Sequence, residues 1–233
     1  MPTCLVWAVL MNEFKRFVSL GSACRTRHQV DRHFGARAAD YKPSAAFFDW
    51  LWGPEIDGVI RALQGGLKIA RENLAVARTG PRIQVQDAAT GFYFLHDFRF
   101  SEAAVSDPEL AHQQMHEQLD RFLEKYEYLG AKTREMLSAD DGLCLVYHGR
   151  MSPLQLEALY ATLGTDYGCR PTLLNVLPVT HAAAALRHET LADCVITRTV
   201  DDRASDGTAD AWKGVDESWD LALADFGCSG HPG

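Results

Sequence analysis

Apolar residues in this chain follow two periodicities. Short continuous runs read as buried strands: Phe17–Leu20, Leu143–Tyr147, Thr172–Leu177 and Cys194–Thr199, with briefer candidates at Ile83–Val85 and Phe92–Leu95 around a turn at Ala88–Gly91. Between them the spacing turns helical. Cys24 to Phe34 reads as a helix ended by Gly35, and Pro54 to Leu63 as one stopped by Gly65-Gly66. Asp107-Pro108-Glu109 opens a long helix to about Leu129, with Leu110, Met115, Leu119, Phe122, Leu123 and Tyr126 on one face. Ser152-Pro153 caps and starts another reaching Leu163, and Glu217 to Phe226 reads as a last short helix. Ala36–Trp52, the Ala-rich His181–Leu191 region and Ala204–Gly214 carry no clear period.

Continuous apolar strands alternating with helices predict a sheet covered on both faces. The expected fold is α/β with a mostly parallel sheet flanked by helices, three-layer α/β/α and Rossmann-like, in a single domain over 16–228. Residues 1–15 read as an appendage and 229–233 as a tail. In such sheets chemistry gathers at the carboxyl ends of strands. Cys24, His96-Asp97 and His148-Gly149 each follow a strand candidate, so one cleft is expected to collect them.

Composition narrows the setting. The 233 residues are 47% hydrophobic, enough for a sizeable core. Lys plus Arg number 23 against 31 Asp plus Glu, a net charge of -8, which argues against nucleic acid or anionic lipid as a partner. The apolar run Cys4–Met11 is too short to span a bilayer and has no basic stretch before it, so no membrane span or signal peptide is expected. Six cysteines, at 4, 24, 144, 169, 194 and 228, form no close ligand pair. Neither a disulfide framework nor a zinc site is expected, and a reducing, cytoplasmic setting is.

Cys24 draws attention because it opens a helix. A thiol on a first helical turn feels the partial positive charge of unpaired backbone N–H groups, which favours thiolate. The competing reading is a small apolar filler. Ser22, at the same strand-to-helix turn, is a rival nucleophile or a simple cap. His112 and His116 lie one turn apart, but Gln113 replaces the glutamate of the zinc-protease pattern, so a solvated helix face is expected. Arg25, Arg27, Arg32 and Arg37, with His28 and His33, make the Cys24 helix locally basic. Gly21 to Cys24 has neither dinucleotide-binding glycine spacing nor a Walker lysine. Trp50, Trp52, Trp212 and Trp219 offer faces for sugar rings or for core packing.

Phe17-Val18-Ser19-Leu20-Gly21-Ser22-Ala23-Cys24, then Ala46-Phe47-Phe48-Asp49-Trp50-Leu51, then Phe94-Leu95-His96-Asp97-Phe98, in that order, give the chain a resemblance to an uncharacterised bacterial family labelled papain-like cysteine peptidase. The likeness covers residues 16 to 130, and residues 143 to 226 are similar only in outline. Where the family has proline-phenylalanine-aspartate-tryptophan, this chain has Phe47-Phe48-Asp49-Trp50. The resemblance implies Cys24 as nucleophile, His96 as base, and Asp49 or Asp97 as the group that orients His96. Adjacent strand residues face opposite ways, which favours Asp49. Ser22, Arg25, Trp50 and His148 are the expected substrate contacts.

Papain-like enzymes set their cysteine on a long helix against an antiparallel barrel, whereas here a strand feeds Cys24 directly. The expected function is a cysteine-dependent hydrolase or acyl-transfer enzyme acting on a small-molecule, peptide or glycan substrate, with no cofactor and no metal. The alternatives are a non-catalytic nucleotide-sugar or glycan-binding module, and an SGNH-like esterase using Ser22.

Overall fold

All six residues of Leu143–His148 are buried, a pattern that suits only a strand covered on both faces. It runs near the middle of a five-stranded sheet in a computed structural model that describes residues 12–21, 24–37, 41, 43, 45–53, 55–80, 82–139, 142–179, 189–192, 194–201 and 211–228. In chain order the elements are β1 (Asn12–Phe14), β2 (Arg16–Ser19), α1 (Cys24–Gly35), α2 (Ile56–Gln64), β3 (Leu74–Thr79), β4 (Arg82–Asp87), β5 (Tyr93–Phe94), α3 (Pro108–Ala139), β6 (Leu143–His148), α4 (Pro153–Thr162), β7 (Thr172–Val179), β8 (Glu189–Ala192), β9 (Val195–Asp201), α5 (Asp216–Leu223) and β10 (Phe226–Cys228).

The architecture is mixed α/β. The large sheet has the order β2-β6-β7-β9-β8, with β2, β6, β7 and β9 parallel and β8 antiparallel at the edge. Strand alternation sorts its side chains into two cores. Val18, Leu145 and Leu173 face one that includes α2, α3 and α4, while Phe17, Cys144, Val146, Leu174 and Val176 face the other, with α1 and α5.

A Rossmann-like sheet was the expectation, and the topology departs from it. Doubly wound folds reverse strand order at a switch point, where ligands bind. Here the parallel strands advance without reversal, so Cys24 leaves an edge strand rather than a crevice between two strands. Ile83–Val85 and Phe92–Leu95 also lie outside the parallel sheet. They belong to a separate antiparallel sheet, β3-β4-β5, whose first strand, Leu74–Thr79, is not among the strand candidates of the sequence.

Two further differences have local causes. The long helix continues ten residues past Leu129, to Ala139, because Gly130 is a contact and not a stop: a Cβ there would lie 2.2 Å from the Leu67 carbonyl oxygen. The final helix ends at Leu223, and Phe226–Cys228 pairs in parallel with Asn12–Phe14, inside the stretch read as an appendage. The Ser152 cap and Pro153 start stand as expected, reinforced by a capping box with Gln155. Among the described residues no helix is long and apolar enough to cross a membrane.

Candidate active site

Three segments build the site. The first is the turn from β2 into α1. Leu20 N–H donates to Val146 O at 2.8 Å, ending the sheet ladder. Gly21 follows at φ +90°, a conformation that an L side chain would strain, and its N–H donates to Ser19 Oγ at 3.1 Å. The chain then enters α1 with Cys24 as its first residue.

The second segment carries Asp49 and Trp50. Phe47 and Phe48 are buried side by side in the aromatic core with Phe92, and the Phe47 N–H donates to Thr133 Oγ1 at 2.9 Å. A proline at 47 has no N–H for that bond. The third segment follows β5, where Phe94 packs edge-on against Phe122 and Tyr126 and fixes the turn that bears His96. Trp52 and Tyr93 exchange two backbone hydrogen bonds of 3.1 Å, tying the second segment to the third.

This framework brings Cys24 Sγ to 3.4 Å from His96 Nε2, across 72 residues of sequence. Cys24 is 8% exposed, whereas His96 lies open to solvent. Trp50, 40% exposed, meets the His96 ring edge-to-face at 6.1 Å. The thiol therefore sits under the imidazole, and the imidazole and indole form the outer surface.

Neither carboxylate is hydrogen-bonded to His96. Asp97 is held by Lys125 and by the Tyr126 hydroxyl, which donates at 3.1 Å. Asp49 is 1% exposed; one oxygen accepts from the Ala46 N–H at 2.6 Å, the other has no hydrogen-bond partner, and Arg27 stands 3.8 Å away. Burial pushes the Asp49 carboxyl up to about 6, against the pull of Arg27 and of the Ala46 bond. Both carboxylates act on the sulfur through space. Burial first, then the negative charges of Asp49 and Asp97, push the Cys24 thiol up, while its own backbone N–H pulls the other way. The helix start alone would favour thiolate; desolvation outweighs it.

The remaining expected contacts separate. Arg25 lies beside Cys24 on α1, and its Nε donates to the Trp212 carbonyl oxygen at 2.6 Å. His148 is buried on β6 and packs its ring against Trp219 of α5 at 5.6 Å. Ser22 lies outside the described residues. Trp50, Trp52 and Trp212 are exposed, but Trp219 is wholly buried and packs the core. The basic surface of α1 is largely matched by acids: Arg27 by Asp31, and Arg32 by Asp216 and Asp220. His112 bonds back to the Pro108 carbonyl of its own helix, and no cluster of potential metal ligands occurs among the described residues.

Sequence reasoning missed what holds Asp97. Lys125 and Tyr126 lie 28 and 29 residues away on α3, and nothing in their spacing links them to a strand-end aspartate. It also missed Gln84, a 6% exposed β4 residue whose Oε1 has no hydrogen-bond partner, although an amide between Ile83 and Val85 is a visible signal. Compared with protein-family models, curated proteins and solved structures, the chain matches none.

Proposed function

We propose that Cys24 and His96 form the working pair of a cysteine-dependent acyl-transfer or hydrolytic enzyme. The observation that carries this reading is the 3.4 Å approach of a buried sulfur to the Nε2 of a solvent-facing imidazole, built from two different sheets. Its resemblance to bacterial sequences labelled papain-like cysteine peptidases supports the same assignment.

Because the thiol is pushed up, the resting pair is a neutral thiol beside the imidazole. As the sulfur adds to an acyl carbon, its proton passes to His96 Nε2, and the S–C bond forms. The protonated imidazole then gives that proton to the leaving group as its bond to the acyl carbon breaks. Water, deprotonated by His96, hydrolyses the thioester and restores the thiol; an alcohol or amine in its place completes a transfer. The N–H groups at the start of α1 are the donors available to the tetrahedral oxyanion. Among the described residues no carboxylate is hydrogen-bonded to the ring, so the pair is read as a dyad. The described cysteines are free thiols.

The test is acetyl transfer from p-nitrophenyl acetate, followed by intact-protein mass spectrometry. The expected result is a burst of one p-nitrophenolate per chain with an acetyl adduct on Cys24, absent in Cys24→Ala and slowed about 100-fold in His96→Ala. A burst that survives Cys24→Ala, or acetylation at the same rate without His96, overturns the reading.

A further inference from the structure

His96 also forms one wall of a groove of about 360 Å³, on the antiparallel sheet and outside the Cys24 contact. The groove follows β4 where that strand runs beyond its pairing with β5, which covers only Val85 and Gln86. Ile83, Leu95, Phe98, Phe100 and Val105 supply an apolar lining, with Arg82 exposed at the rim. The remaining lining residue is Gln84. Its side-chain oxygen is buried, without a partner, in a residue 94% removed from solvent by its 6% exposure. A buried acceptor left unmatched costs about 1–3 kcal/mol, a debt that a ligand's N–H or O–H would cancel.

We propose that this groove is the subsite for the group next to the reacting acyl carbon, and that it selects an aromatic ring carrying a hydrogen-bond donor, a phenol being the smallest example. The inference rests on the Cys24–His96 reading, because His96 is shared by the pair and the groove. Phe98 and Phe100 offer edges and faces to a ring. Gln84 Oε1, which has no accessible surface where it lies, receives the donor once its amide turns into the groove. Arg82 at the mouth disfavours a cationic group and tolerates a neutral or anionic one.

The experiment alkylates Cys24 with four chloroacetamides: 2-chloroacetamide itself and its N-phenethyl, N-(4-hydroxyphenethyl) and N-(4-methoxyphenethyl) derivatives. In each, the S–C bond forms as chloride leaves and the thiol proton is lost. Rates are read by intact mass and divided by each probe's rate with N-acetylcysteine. The expected order places the hydroxyphenethyl probe about fivefold above the phenethyl probe, the increment of one satisfied buried hydrogen bond. The methoxy probe, an acceptor only, falls below both.

Gln84→Leu is expected to bring the hydroxyphenethyl-to-phenethyl ratio to about one. Val105→Trp, at an exposed wall of the groove, is expected to lower every aryl rate relative to 2-chloroacetamide. Equal normalised rates for all four probes overturn the groove assignment, and a methoxy probe as fast as the hydroxy probe overturns the donor requirement. Aryl selectivity that persists while alkylation is indifferent to His96→Ala upholds the groove and overturns the catalytic reading. Dependence on His96 without aryl selectivity does the reverse.

Discussion

Two histidines divide the chemistry of this chain, and the one with the better-oriented ring is not the one beside the sulfur. His33, on α1, is 1% exposed; its Nδ1 lies 2.7 Å from Asp220, and Arg37 donates to its Nε2 at 2.6 Å. Since the guanidinium can only donate, Nε2 is the acceptor and Nδ1–H points at the carboxylate. Burial, helped by Arg37 and opposed by Asp220, pushes this imidazole down, so it stays neutral. Both nitrogens are occupied, which makes His33 a clamp between α1 and α5. His96 has no carboxylate partner among the described residues, lies in solvent, and has one nitrogen facing a thiol. A fixed imidazole with nothing left to exchange is structural. A looser one with a free approach can carry a proton.

Exchanging the two rings for alanine separates these roles most sharply. His96→Ala costs about two orders of magnitude in acetyl transfer and leaves the melting temperature within a few degrees. His33→Ala does the opposite: Asp220 and Arg37 lose a buried partner, unfolding free energy falls by about 2–3 kcal/mol in urea titration, and the folded fraction acetylates at the parental rate.

Asp49 gives the next largest effect. Its folded carboxyl, raised from 3.8 to about 6, holds a proton at pH values where the unfolded chain has released it. The native state therefore gains from this group at low pH and loses that advantage as pH rises from about 4 through about 6. At neutral pH the loss reaches roughly 3 kcal/mol. Asp49→Asn is expected to flatten the fall in stability over that window and to raise stability at pH 7 by up to that amount, measured by urea unfolding across pH. Removing the charge also moves the alkylation profile of Cys24 to lower pH. A steeper profile in the variant than in the parent contradicts the assignment.

The smallest effect tests the clamp from its other side. Arg37→Gln removes a cation from His33 Nε2, so the imidazole's titration moves up, visible in its ring proton shifts. The stability that this ring, held down by burial, takes away as pH falls through the unfolded imidazole's titration is then smaller than in the parent.

The sequence disclosed unevenly what the structure contains. Leu143–Tyr147 and its parallel companions are readable because a strand buried on both faces has to be apolar throughout. Ser152-Pro153 is readable because a cap is a local bargain between neighbours. Cys24 and His96 appear in the motifs, but no local rule brings them together: their 3.4 Å separation is set by β2 meeting β6 and by Phe94 meeting Phe122 and Tyr126. The length of α3 is not readable because Gly130 admits the Leu67 carbonyl, a contact from outside the helix that its own residues do not announce. Asp97 misleads for a similar reason, since its partners come from a helix far along the chain.

The sulfur and the ring follow strands of sheets that share no strand, one mostly parallel and one antiparallel. A chain that has closed the first sheet while β3-β4-β5 is still undocked has no His96 beside its Cys24 sulfur. Under the proposed function, acetyl transfer therefore needs both sheets in place, and its appearance during refolding would time the seating of β3-β4-β5.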